Sequence, residues 1–70
     1  MEAYQARGQI NIYMKKFEKA LVDFQQVITL QPGNGQGYIG QADSMKGIGN
    51  FKGALHAYNQ ALQLDPRTNG

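Results

Sequence analysis

The sequence predicts an all-α chain, built as two stacked antiparallel helix-turn-helix units. Three observations predict it. First, the chain repeats itself at a fixed offset of 34 residues: Phe17, Ala20, Leu21, Gln26, Leu30 and Pro32 recur as Phe51, Ala54, Leu55, Gln60, Leu64 and Pro66, and Tyr4 recurs as Tyr38. A constant period of this size marks a stacked-repeat architecture. Second, Phe17, Leu21, Phe24 and Ile28 fall at i, i+4, i+7 and i+11, one face at helical spacing. Phe51, Leu55, Tyr58 and Leu62 repeat that stripe. Third, turn-forming residues punctuate the pattern at Pro32-Gly33, Gly49-Asn50 and Pro66.

The spacing predicts a first helix over residues 2–14, with Ala3, Tyr4, Gly8, Ile10 and Met14 as an inner side that Arg7 and Asn11 interrupt. Lys15-Lys16 marks a break, its cations suited to the negative end of a helix. Phe17 to Leu30 is the strongest helix, with small Ala20 and Val27 flanking the stripe so that a neighbour can approach. Pro32 stops it, and Gly33 turns the chain. Asn34 is the expected N-cap of the third helix, Gly35 to about Ile48. That helix carries Gly37, Gly40 and Gly47. Each costs about 1 kcal/mol relative to alanine, so packing of Tyr38, Ala42, Met45 and Ile48 has to hold it. Gly49-Asn50 supplies a turn and an N-cap, and Phe51 to Leu64 repeats the strong pattern with Ala54, Ala57 and Ala61 as small residues. Residues 67–70 read as a frayed polar end. The organisation is repeat one over 1–34, repeat two over 35–68 and a tail at 69–70.

Composition narrows the work such a chain can do. Seventy residues make one small domain at most. There is no cysteine, hence no disulfide and no thiolate metal site. The net charge of +2 comes from scattered cations, too thin for a nucleic-acid footprint. No signal-peptide pattern opens the chain, and no apolar run approaches the roughly 18 residues of a membrane span. These absences lead us to expect a cytoplasmic protein with no nucleic-acid partner, no membrane and no cofactor.

Candidate chemistry is sparse. Gly35, Gly37 and Gly40 match G-x-G-x-x-G, but a dinucleotide site needs a preceding strand, and here the motif follows a helix ended by Pro32. His56 is the only histidine and has no companion at metal-ligand spacing. Ser44 has no evident base partner. Lys19 and Asp23 can pair at i, i+4, worth a few tenths of a kcal/mol. The expectation is a non-enzymatic chain without catalytic or metal residues. An RNA-reading helical array takes about one base per repeat, so two repeats with little positive charge make a poor reader.

The recurring residues resemble the tetratricopeptide repeat, a 34-residue helical hairpin with the pattern W-x2-L-G-x2-Y, A-x3-F, P. Copy one matches through Tyr4, Gly8, Ala20-x3-Phe24 and Pro32. Copy two matches through Tyr38, Ala42, Ala54-x3-Tyr58 and Pro66. Arg7 and Gln41 depart from the Leu of the pattern, and Asn11 and Met45 from its Tyr. The first helix of each pair is thereby expected to be the less stable member.

The resemblance implies an α-solenoid fragment that binds a protein or an extended peptide along a concave surface. Carried over, that surface comprises Glu2, Gln5, Ala6, Gln9, Ile12 and Tyr13, then Gln36, Ile39, Gly40, Asp43, Lys46 and Gly47. Of these, Gln5, Gln9, Ile12, Tyr13, Gln36, Ile39, Asp43 and Lys46 are the expected peptide contacts. A subclass of the family grips chaperone C-terminal carboxylates with Lys and Asn. Gln5, Gln9 and Gly40 stand at the corresponding places, so that activity is not expected.

A repeat buries its apolar side by stacking on a neighbour. The helix from Gly35 should cover Leu21, Phe24 and Ile28. Nothing in the sequence is expected to cover Leu55, Tyr58 and Leu62, which would each forgo roughly 1.5–3 kcal/mol. The expectation is therefore a homo-oligomer, formed through those three residues by end-to-end packing or by helix exchange hinged at 33–40 and 47–49. The alternatives are a purely structural oligomerisation element and an excerpt of a longer array.

Overall fold

The computed structural model describes residues 2–64, with side chains from Tyr4 onward. Four helices follow one another: α1 (Glu2–Tyr13), α2 (Phe17–Leu30), α3 (Gly35–Ile48) and α4 (Phe51–Leu64), with no strand among the described residues. α1 packs on α2, α2 on α3 and α3 on α4, and α3 also lies against α1. This is two helical hairpins stacked in register. Pro66 and the tail at 69–70 lie outside the described residues.

The turns follow local chemistry. Asn34 caps α3, its side chain accepting from the Gln36 N–H at 3.0 Å. α3 ends on Gly49 in the left-handed region (φ 101°), and the Gly49 and Asn50 N–H groups both donate to the Met45 carbonyl. Asn50 then accepts from the Gly53 N–H at 3.0 Å and starts α4. One period earlier, the place of Gly49 belongs to Lys15, which adopts φ 62° although it carries a Cβ. The same turn is thus made once by glycine and once by a strained lysine.

The core is centred on Phe24, fully buried with Ala20 and Val27 and flanked by Tyr4 and Ile12. Its ring lies between two glycines. A Cβ on Gly8 would stand 2.7 Å from ring atom Cε2, and one on Gly40 would stand 2.1 Å from Cε1. Gly47 presses on Phe17 in the same way, with a virtual Cβ at 2.3 Å from Cδ1, and Gly37 meets Ile28 Cγ1 at 3.0 Å. The glycines that weaken α3 are therefore what let it lie against α2. A second cluster, Ala42, Ala54 and Ala57 with Met45 and Tyr58 beside it, joins α3 to α4.

Several expectations need correction. Ile10 and Met14 are more than half exposed and do not form an inner side of α1. Ile48 is also exposed, so the buried residues of α3 are Gly37, Gly40, Ala42 and Ser44. Arg7 and Asn11 do not interrupt a packing face, because they reach across to α2. Asp23 is 3% exposed. Its Oδ1 accepts from Arg7 Nε at 3.0 Å and Nη2 at 2.7 Å, and its Oδ2 accepts from Asn11 Nδ2 at 2.8 Å. Asp23 is thus partnered by Arg7 rather than by Lys19, and this bond and the attraction of the carboxylate raise the Arg7 pKa further. One period later the three places hold Gln41, Met45 and Ala57. In repeat two Met45 and Ala57 pack in the apolar cluster between α3 and α4, while Gln41 turns away and donates to Gln25 of α2 at 3.1 Å.

Two pairs of outcomes follow, one from the glycine packing and one from the polar triad. Gly40→Ala should lower stability by about 1–3 kcal/mol in a denaturant melt, because Gly8 prevents the Phe24 ring from retreating. The gain in helix propensity, about 1 kcal/mol, does not offset that. Gly33→Ala, with nothing within 4 Å of its Cβ position, should not destabilise. Asp23→Ala alone should cost about 1–3 kcal/mol, since it leaves the half-buried Asn11 amide without its partner, whereas the exposed Arg7 turns to water. The triple change Arg7→Gln/Asn11→Met/Asp23→Ala, which copies repeat two, should recover most of that loss.

Candidate functional site

Two surfaces carry the candidate residues. The first is formed where α1 and α3 lie side by side. Gln9, Tyr13, Gln36 and Lys46 are exposed there, while Gln5, Ile12, Ile39 and Asp43 are half-buried. Tyr13 is 89% exposed, the least covered large apolar side chain among the described residues. Gln5 is tied to the start of α3, its Oε1 accepting from Asn34 Nδ2 at 3.4 Å. Ile12 packs against the Phe24 cluster, so it supports the surface more than it offers a free contact. Asp43 accepts a hydrogen bond from the Tyr58 hydroxyl. That bond links α3 to α4 through side chains, a connection the sequence pattern does not display. Among the described residues, no side-chain hydrogen bond involves the side chains of Gln36, Tyr13 and Lys46. The side chain of Glu2 lies outside the described ones.

The glycines of the G-x-G-x-x-G match lie at the start and inside of α3. Gly37 and Gly40 face the side chains of α2, so they form no phosphate cradle. His56 is exposed on α4, and no group of three His, Asp or Glu residues able to hold a metal occurs among the described residues. No helix among them is long and apolar enough to cross a membrane.

The second surface is the outer stripe of α4. Its residues repeat those of α2 place for place, but their surroundings differ. Phe17 and Leu21 are half-buried, Phe17 against Gly47 of α3, whereas Phe51 and Leu55 are 66% and 63% exposed. Phe24 is fully buried, whereas Tyr58 is only half-buried; Ile28 and Leu62 are half-buried alike. Phe51 belongs with Leu55, Tyr58 and Leu62 on this surface. The sequence signal for it was the match to Phe17.

Tyr58 keeps a ring where Phe24 has one and adds a hydroxyl that Asp43 receives. The bond to Asp43, then burial, then the nearby negative charge push the Tyr58 pKa up to about 12. The folded pKa lies above the ordinary tyrosine value near 10. The stabilisation is therefore complete below about pH 10 and is lost as the pH rises through about 12. An alkaline ultraviolet titration should show a late tyrosine phase near pH 12 that Tyr58→Phe abolishes.

Comparison with known proteins agrees with this geometry. Models of the tetratricopeptide repeat match residues 2–34 and 35–68. The chain is also similar to Superkiller protein 3 of Schizosaccharomyces pombe, with 32% identity over 59 residues. That stretch is 84% of this chain and 4% of the relative, so the chain spans a small part of the protein it resembles. Repeats of this kind generally mediate protein–protein interaction. With two hairpins at a common period, a ring clamped between them and both copies matched, the chain belongs to the tetratricopeptide-repeat family.

Proposed function

We propose that this chain is a non-enzymatic protein-interaction module with two working surfaces. The outer stripe of α4 associates with a second copy through Leu55, Tyr58 and Leu62, with Phe51 at its edge. The concave surface of α1 and α3 holds an extended peptide. The observation that carries the reading is the contrast between equivalent helices: Phe51 and Leu55 are 66% and 63% exposed where Phe17 and Leu21 are half-buried, Phe17 against Gly47 of α3. An apolar stripe that is covered in one copy of a repeat and open in the next is a stacking surface awaiting its neighbour. On the concave side, Tyr13 and Ile39 offer apolar contact, and Gln9 and Gln36 offer amides that can bond a peptide backbone.

A second reading has its own support. The similar protein is far longer than this chain. In a longer array a following hairpin would meet the α4 stripe, and this pair of repeats would be an excerpt of that array.

Sedimentation across a concentration series tests the first surface. The mass should rise above that of one chain, and Leu55→Glu or Leu62→Glu should weaken association by at least about tenfold, some 1.4 kcal/mol. Retention of the parent mass profile by both variants would remove the self-association reading. For the second surface, peptides selected on the intact chain should lose binding to Tyr13→Ala/Ile39→Ala, with the mass profile unchanged.

A further inference from the structure

A cleft that belongs to neither surface above opens beside the turn between α1 and α2. Its volume is about 440 Å³, and it is lined by Lys15, Lys16, Phe17, Glu18 and Lys19 together with Ile48 at the end of α3. Phe17 is half-buried and Ile48 is 48% exposed, so apolar side chains from two helices meet water within it. All three lysines are exposed. Among the described residues the one salt bridge joins Arg7 to Asp23, so no described carboxylate, Glu18 included, holds any of the three. The chain has seven Lys and Arg against five Asp and Glu, of which three and one line the cleft, leaving four of each sign elsewhere. The net charge of +2, scattered along the sequence, is gathered in space at this one place.

Folding does not call for these lysines. One period later Gly49, Asn50 and Gly53 stand in the places of Lys15, Lys16 and Lys19. Gly49 takes the left-handed conformation freely at φ 101°, whereas Lys15 holds φ 62° against its own Cβ. Asn50 caps α4 by accepting from the Gly53 N–H, whereas Lys16 gives α2 no side-chain cap. Both differences weaken the first turn, and both add a cation to the same cleft.

The lining defines the chemistry of an occupant. A purely apolar group would strip water from three cations without replacing it. A bare anion or a phosphodiester backbone would match the charge and leave Phe17 and Ile48 wet. Glu18 offsets one lysine, so two carboxylates balance the rest. We propose that this cleft docks an acidic peptide segment of another protein, with one large apolar residue set on Phe17 and Ile48 and a carboxylate on either side of it met by the lysines. The cleft volume lies in the range of sites that enclose a ligand of a few residues.

The test titrates the isotope-labelled full-length chain with a five-residue peptide, blocked at both ends, with leucine at its centre, aspartate on either side and glycine outermost. Backbone amide signals of residues 15–19 and of Ile48 should shift to saturation, and salt should weaken the binding. Lys15→Gln/Lys16→Gln/Lys19→Gln, which keeps side-chain length and removes charge, should weaken it about tenfold. Lys15→Gly/Lys16→Asn, which copies the second turn, should unfold at a higher denaturant concentration and yet bind at least about threefold more weakly. Absence of the shifts overturns the proposal, as does binding that survives the triple glutamine variant. Equal binding of a peptide with asparagine for both aspartates, or with glycine for the leucine, also overturns it. Tighter binding of a short oligothymidylate overturns it as well and assigns the lysines to nucleic acid.

Discussion

The fold depends on one ring held between two glycines. Phe24 projects from α2 into a slot whose walls are the backbone of α1 at Gly8 and of α3 at Gly40. The contact joins the two helices of the first hairpin and also joins that hairpin to the next. It explains why a helix as poor in intrinsic stability as α3 is retained, since each interior glycine that weakens it admits a side chain of α2. In the second hairpin Tyr58 takes the place of Phe24. Ala42 stands where Gly8 did, no described residue stands where Gly40 did, and the ring turns its hydroxyl to Asp43.

The two repeats solve shared problems with different chemistry. The contact between the helices of a hairpin is made by Arg7, Asn11 and Asp23 in one copy and by Met45 and Ala57 in the other, where Gln41 reaches back to Gln25 of α2. The polar version satisfies a buried carboxylate completely, which is the condition under which burying one is tolerable. The apolar version avoids the problem. The result is a molecule with unlike ends, a hydrogen-bonded margin at α1 and α2 and an open apolar stripe on α4.

What the sequence disclosed tracks how local the cause was. The stripes of α2 and α4 follow directly from spacing, and the caps at Asn34 and Asn50 from turn chemistry. The inner faces of α1 and α3 were harder to read because they are not made of large apolar residues. Gly8, Gly37, Gly40 and Ser44 are buried, yet they look like gaps in a hydrophobic pattern. Ile10, Met14 and Ile48 look like core and are exposed. Partners distant in sequence were invisible for the same reason, since nothing along α2 indicates that Asp23 pairs with Arg7 and not Lys19. For the candidate site, the open stripe on α4 was legible through its likeness to α2. The link from Tyr58 to Asp43 required the two helices to be placed side by side.

α3 touches each of the other helices, while glycines at positions 37, 40 and 47 leave it little tendency to coil unaided. Its winding is borrowed from its neighbours. Severing the chain at the turn between the hairpins would take Phe17, Phe24 and Ile28 away from those glycines and leave α3 only its packing on α4. Repeat proteins are commonly thought of as strings of interchangeable beads, yet here the smallest piece that can keep its shape is the pair.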